Sequence, residues 1–251
     1  YVRPNDRDLR MADLRIRLGG VEPQGEDIQL YDDRLAAAVI RFQRENGLGD
    51  DGVIGPATLA TLNYSPRDKI ETLIANLERL RWVEDDKPSK FVVVNVPSAK
   101  LWAIEDDAVA FEMPVIVGRS ERPTNIFRTT ITGVRFNPNW TVPPTIKRDD
   151  ILPKLQEDSN YLESKGMALM SGYGANAMSV DPTTVDWAAV DEDGLKAYTM
   201  VQEPGENNPL GRIRVLMPNS FNIYLHDTNE PYYFDRKNRA ASSGCVRMKE
   251  P

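Results

Sequence analysis

One histidine and one cysteine stand in this chain of 251 residues, His226 and Cys245. Both fall within "IYLHDTNEPYYFDRKNRAASSGCVRM". Together the two side chains can do nucleophilic chemistry. A thiol attacks as its thiolate, and a free cysteine titrates near ~8.5. A neighbouring imidazole can take the thiol proton and pass it to a leaving amine. His226 follows the apolar alternation of "FNIYL", which places it at a strand end. Cys245 sits among small residues in "SSGCV". Gly244 permits an unusual backbone angle and close approach of a substrate. Backbone N–H groups around Gly244 and Cys245 would face a developing oxyanion, at roughly 2.7–4 kcal/mol per donor in measured cases. Ser242 and Ser243 are placed to hydrogen-bond locally and hold the turn. Residue type alone leaves another role open for each. A lone cysteine is also at home as a small buried hydrophobe, and a lone histidine as a satisfied structural residue.

Other chemistries find little support. A zinc site would need carboxylates to complete its ligands beside one His and one Cys. There is no HxxxH, CxxC or EF-hand spacing, no Walker loop and no GxGxxG. No metal and no cofactor is expected. One cysteine cannot close an intrachain disulfide. The formal charge of −7 argues against nucleic acid or an anionic membrane surface as partner, since both reward clustered Lys and Arg. No stretch approaches the ~18 apolar residues of a membrane span. The chain opens at Tyr1 rather than Met, so an export signal or anchor is expected upstream.

The elements that must position these residues fall into two groups. The first is helical. Asp6 is a candidate cap for a helix carrying Leu9, Ala12 and Ile16, stopped at Gly19-Gly20. Asp32 should cap "YDDRLAAAVIRFQRENG", where Leu35, Val39 and Phe42 share a face and Gly47 follows the end. Asp51-Gly52 is a turn signal, and Pro56 suits the first position of a third helix with Leu59 and Leu62 on its core side. Residues 1–64 thus read as a small three-helix module. Ser65 and Asp68 then form a capping-box variant opening a longer helix. Its apolar stripe, Ile70, Leu73, Ile74, Leu77 and Leu80, predicts packing between two domains. Residues 65–89 are this helix and the linker "EDDKPSK".

From residue 90 the pattern changes to strands. "FVVVNVP", "KLWAIED", "AVAFEMPVIVG", "RTTITGVRF" and "SFNIYLH" are β-prone runs. Between them, "PPTIKRDDILPKLQED" and "NYLESKG" read as helical or irregular. Residues of about 140–210, punctuated by Pro and Gly, read as an insertion carrying a lid. The fold class is therefore multidomain α+β.

Two resemblances sharpen this reading. "AVIRFQRENGL" followed by "DGVIGPATLATLN" resembles the peptidoglycan-binding domain 1 family, which implies that residues 1–64 form such a module. His226, a gap, and Ser242-Ser243-Gly244-Cys245-Val246-Arg247 resemble the L,D-transpeptidase (YkuD-type) signature. That signature has a His, then Ser/Thr-His-Gly-Cys-apolar-Arg/Asn. Ser243 departs from it, standing where most members have His. "NPNWTVPPTIKRDDILPK", "DPTTVDW", "GRIRVLMPNSFNIYLHDT" and "RAASSGCVRM" are similar to the large, periplasmic, YcbB-like subgroup. The resemblance implies a mainly β, sandwich-like catalytic domain over residues 90–251, with a C-terminal segment normally following Pro251.

The resemblance also implies an activity. Cys245 would be the nucleophile on a peptidoglycan tetrapeptide stem, releasing D-Ala and forming a thioester. A second stem would accept the acyl group, giving a 3→3 crosslink. His226 would serve as base and then acid, oriented by the backbone carbonyl of Asp227, with Gly244 framing the oxyanion site. Arg247 would position a substrate carboxylate or brace the cysteine loop. Tyr224, Trp140 and Ser243 would line the substrate site. For Trp140 a core position is the competing reading. "VGRSERPTNIF" holds Gly118 and Thr124 where many members show Gly…Thr-Pro, with Asn125 in place of that Pro. Donor and acceptor stems are the implied partners, carbapenems the implied inhibitors, and the periplasm the implied location; any partner synthase is unknown. Hydrolysis of the same acyl-enzyme, by an L,D-carboxypeptidase or endopeptidase, is the alternative activity. A non-catalytic wall-binding protein is the alternative from another class.

Overall fold

The computed structural model describes residues 1–82, 88–172 and 176–251. Residues 84–87 of the expected linker lie outside the described residues. The chain divides into two compact units, Tyr1–Lys87 and Pro88–Pro251.

The first unit carries α1 (Met11–Arg17), α2 (Asp33–Glu45), α3 (Pro56–Asn63) and α4 (Pro66–Arg81). Asp32 caps α2 by accepting from the Leu35 N–H. Gly47 follows that helix at φ +68°, the left-handed conformation that closes a helix end. Pro56 opens α3, and the Ser65/Asp68 capping box opens α4. Leu35, Val39 and Leu62 are buried, with Phe42 packed against them. Three expectations fail here. Asp6 does not cap α1; it accepts from the Arg3 N–H, and α1 begins at Met11 without a side-chain cap. Leu9 and Ile16 are 76% and 75% exposed, while Met11, Leu14 and Arg15 face inward. Arg15 is drawn in by Asp32, at 2.7 Å, and by the Leu30 carbonyl. A paired charge won the inward place that the apolar pattern assigned elsewhere. Third, Leu59 is 43% exposed rather than buried in the core. Within this unit the five apolar residues of the α4 stripe are exposed as well.

In the second unit, β1 (Lys90–Asn95), β2 (Lys100–Glu105) and β3 (Ala108–Gly118) form an antiparallel meander. Asp106 and Asp107, both at positive φ, make the two-residue turn between β2 and β3, the geometry that matches strand twist. β4 (Gly133–Phe136) is shorter than its β-prone run. An insertion follows, holding β5 (Trp140–Thr141), α5 (Pro144–Ile146), a π-helical turn Lys147–Ile151, α6 (Leu152–Glu157), α7 (Tyr161–Ser164), β6 (Met167–Ser171), β7 (Met178–Val180) and β8 (Tyr198–Gln202). The chain closes through β9 (Ile213–Leu216), β10 (Leu225–His226), β11 (Ala240–Ser242) and β12 (Val246–Met248).

The main sheet runs β1-β2-β3-β12-β10-β9-β4, with β11 also on β3. β3 serves both halves. Its first part pairs with β2, and Val115–Gly118 pairs with β12 and β11. One core takes Leu101 and Met113 from the first half and Val215, Leu225, Val246 and Met248 from the second. This is the sandwich-like arrangement, and the fold is α+β. The insertion is more than helical or irregular. Its four strands form a second sheet, β5-β8-β6-β7, around its own core of Leu155, Leu162, Leu169, Trp187 and Met200. Strands of two to five residues, such as the apolar "MALMS", are too short to show a readable period.

Candidate active site

The strand register brings the site residues together. β10 and β12 run parallel, with Leu225 beside Val246 and His226 beside Arg247. Side chains alternate between faces along a strand, and directly paired residues share a face. Leu225, Val246 and Met248 point into the core. His226 and Arg247 therefore point to the opposite face. Cys245 and Tyr224 lie just outside the two strands: Arg214 and Arg247 act on the Cys245 thiol, and the Tyr224 ring lies under Arg214 while also packing against the core. The Val246 N–H donates to the Tyr224 carbonyl at 2.9 Å, which ties the two segments together there.

A compact hydrogen-bonded turn presents Cys245. Ser242 Oγ donates to the Cys245 carbonyl and accepts from the Gly244 N–H. Gly244 has φ +112°, a conformation L side chains rarely adopt. Its N–H is committed to Ser242, so Gly244 contributes the backbone shape of the turn rather than a free donor. The Cys245 N–H has no hydrogen-bond partner among the described residues. Thr124 fixes the turn from the side: its buried Oγ1 donates to the Gly244 carbonyl at 2.7 Å and accepts from the Gly118 N–H at 2.8 Å. Gly118 permits this approach, because a Cβ there would overlap the Arg122 carbonyl oxygen and the Thr124 nitrogen.

His226 is buried. Its Nδ1 lies against the Asp227 carbonyl. A carbonyl can only accept, so Nδ1 carries the proton and Nε2 is the bare, basic nitrogen. Burial pushes the imidazole down to about 4, with Arg247 and Arg214 adding to the effect and the Asp227 carbonyl opposing it. Burial also pushes the Cys245 thiol up, opposed by a Tyr224 backbone hydrogen bond and by Arg214 and Arg247. The sulfur lies 3.7 Å from the Asn222 carbonyl, to which the thiol donates. At neutral pH the two groups are therefore a thiol and a neutral imidazole. The Asp227 side chain faces elsewhere. Burial raises its carboxyl, but the N–H groups of Arg212 and Thr228 and the Arg212 guanidinium outweigh that and hold it low.

The remaining candidates divide. Arg247 pairs with Glu230 at 2.7 Å and is mostly buried, a bracing arrangement rather than a free carboxylate receptor. Ser243 Oγ accepts from Arg119 and Arg122, each at 3.2 Å. Arg122 also pairs with Asp149 and Asp150 of the π-helical turn. Ser243 is thus held within a polar link from the cysteine loop to the insertion. Tyr224 lies under the Arg214 guanidinium, 3.7 Å from ring centroid to Cζ. Trp140 packs against the insertion core, paired in β5 with Gln202, which is the core position rather than the site wall. Sequence reading missed Arg214, Arg119, Arg122 and the Asp149/Asp150 pair. Only the chain-order motifs around Gly118 and Thr124 hinted at the loop that grips the turn.

Residues 89–251 match the family model described as "L,D-transpeptidase catalytic domain", YkuD. The chain belongs to the YkuD L,D-transpeptidase family. Residues 16–62 match a second model, "Putative peptidoglycan binding domain". A protein of Haemophilus influenzae named "Putative L,D-transpeptidase" is 36% identical over 180 residues, covering 72% of this chain and 35% of that protein. The chain thus spans about a third of the curated relative it matches. Among solved structures, an L,D-transpeptidase (Yku) from Stackebrandtia nassauensis aligns over 100% of this chain and 88% of its own, at 15% identity and a TM-score of 0.30. A fused Zn-dependent amidase/peptidase/peptidoglycan-binding protein from Clostridium acetobutylicum aligns over 54% and 70%, at 15% identity and a TM-score of 0.22. Within this YkuD family chain, no helix among the described residues is long and apolar enough to cross a membrane. No cluster of metal-ligating side chains occurs among them either.

Proposed function

We propose that this chain is a cysteine L,D-transpeptidase that forms 3→3 crosslinks between peptidoglycan stems. The observation that carries the reading is the tautomer: with Nδ1–H held by the Asp227 carbonyl, Nε2 is free to accept on the face shared with Cys245. The Cys245 sulfur attacks the carbonyl carbon of the amide between the third and fourth residues of a donor tetrapeptide. The thiol proton passes to His226 Nε2 as the C–S bond forms. His226 returns that proton to the departing nitrogen, the C–N bond breaks, D-Ala leaves, and the thioester remains. The side-chain amine of a second stem's third residue then attacks the thioester. His226 takes the amine proton and delivers it to the departing sulfur, which regenerates the thiol. The unpartnered Cys245 N–H is the donor best placed to meet the oxyanion.

The helical unit supports binding to the same polymer. A groove of about 720 Å³ in that unit is lined by Met11, Leu14, Ile54, Leu59 and Leu62, with Arg10 and Arg17 at its edge. From a peptidoglycan substrate we infer a periplasmic location, since peptidoglycan lies outside the plasma membrane.

Incubation of the protein with purified tetrapeptide muropeptides tests the reading. A 3→3 dimer with release of D-Ala, absent in Cys245→Ala, is the expected result. Tripeptide alone would make the chain a hydrolase of the same acyl-enzyme, and no product at all would leave only wall binding. A carbapenem should add one covalent adduct, read by intact-protein mass spectrometry. An adduct that survives in Cys245→Ala would move the nucleophile elsewhere.

A further inference from the structure

A row of charged and basic side chains crosses four neighbouring strands on the site face. Arg247 on β12 pairs with His226 on β10, His226 with Arg214 on β9, and Arg214 with Arg135 on β4. Direct cross-strand partners share a face, so all four project on the side of Cys245. The three arginines differ in what they touch. Arg247 is taken by Glu230. Arg135 is exposed on the outermost strand of this row. The Arg214 guanidinium has no hydrogen bond or ion pair among the described residues, and its Nε is buried without a partner. It stacks on the Tyr224 ring, with Cζ 3.7 Å from the ring centroid.

A half-buried guanidinium without an anion is costly, and folded chains ordinarily supply a partner for it. None is supplied among the described residues, directly beside the residue proposed as base. A planar guanidinium with a fixed fork of donors matches a carboxylate in bidentate geometry. The chain as a whole carries −7 and repels an anionic peptide, so a local positive row is what would draw one to this face.

We propose that Arg214 is a specificity residue of this site, the anchor for a carboxylate that the donor peptide carries next to the scissile amide. The proposal rests on the acyl-transfer reading above. Two carboxylates share this chemistry: the C-terminal carboxylate of the leaving residue and a side-chain carboxylate on the residue that supplies the acyl group. Arg214 positions the amide; the proton transfers remain with His226.

The test uses the intact chain as wild type, Arg214→Gln and Arg214→Lys. Each is offered three donor peptides: the free acid, the same peptide with its C-terminus amidated, and the same peptide with the third residue's side-chain carboxyl amidated. Acyl-adduct formation is followed by intact-protein mass spectrometry, and KM and kcat are separated. A charged hydrogen-bonded contact is worth about 1.5–3 kcal/mol, or roughly 10–10²-fold. Wild type should lose about that factor, mainly in KM, on one amidated peptide, and that peptide identifies the carboxylate. Arg214→Gln should lose the same factor on the free acid and become indifferent to the amidation, and Arg214→Lys should recover part of it. Wild type that treats all three peptides alike overturns the anchor without recourse to any variant. So does Arg214→Gln that discriminates as sharply as wild type, or that slows equally on every peptide. Wild type that forms no adduct with any donor or with a carbapenem overturns the acyl-transfer reading itself, and the anchor with it.

Discussion

The titration of His226 can be measured without ambiguity, because the chain has no other histidine. Burial holds its imidazole at about 4, against the ordinary 6.5. The folded protein thus refuses a proton that the unfolded chain accepts. Between 6.5 and about 4 the unfolded state binds more protons, so stability falls as pH falls through that window. Above 6.5 this contribution is fully present, and below about 4 it is lost. At about 1.4 kcal/mol per pH unit the gap amounts to about 3 kcal/mol. That is a large share of the ~5–15 kcal/mol that holds a domain folded. The perturbation is His226→Gln, which removes the titrating group and keeps a polar side chain. Urea unfolding of both proteins at intervals from pH 7 to pH 4 should show wild type losing about 3 kcal/mol relative to the variant, with the carboxylates common to both cancelling. Proton NMR of the single imidazole should give a midpoint near 4. Nitrogen shifts should report a protonated Nδ1 and a bare Nε2. A midpoint near 6.5, or a wild-type-minus-variant difference flat to within ~0.5 kcal/mol, would refute burial as the dominant influence on the ring.

Other perturbations test the frame around Cys245. Gly118→Ala forces a methyl against the backbone of residues 122–124 and should cost about 2–4 kcal/mol, read as a lowered Tm; a loss under ~1 kcal/mol would mean the loop yields easily. Thr124→Val keeps the shape but removes the hydroxyl between Gly118 and Gly244. It should destabilise by about 1–3 kcal/mol and slow carbapenem acylation, and unchanged acylation would show that the turn holds without it. Ser243→Ala should leave folding intact and weaken the link from Arg119 and Arg122 to the cysteine loop, visible as changed acylation that high salt mimics in wild type. Asp32→Ala leaves Arg15 buried and unpaired and removes the α2 cap; the helical unit should lose about 3–5 kcal/mol, and a melt that does not move would show that water satisfies Arg15.

Much of the local structure is legible from chemistry close in sequence. Asp32, Gly47, Pro56 and the Ser65/Asp68 box act within a few residues of themselves, and helix ends obey such short-range rules. The Asp106-Asp107 turn and the long apolar run of β3 are of the same kind. Failures arose where a distant partner decided the outcome. Arg15 turns inward because Asp32 and the Leu30 carbonyl await it, 17 and 15 residues away, and Leu9 and Ile16 are left outside. The insertion's sheet escaped notice because its strands are too short to carry a period. Trp140 belongs with that core.

For the site, the single histidine and the single cysteine limit any His–Cys chemistry to one pair, a constraint that composition alone imposes. Chain order also places a glycine before the cysteine and serines before that. The tertiary structure decided the rest. Strand register sets His226 beside Arg247 and opposite Arg214, residues 21 and 12 positions distant. No local pattern encodes which strand lies next to which. The Asp227 carbonyl selects the tautomer and burial selects the neutral ring, both properties of a packed interior. Reactivity follows from side-chain type, whereas proton position and neighbouring charge follow from how distant strands align.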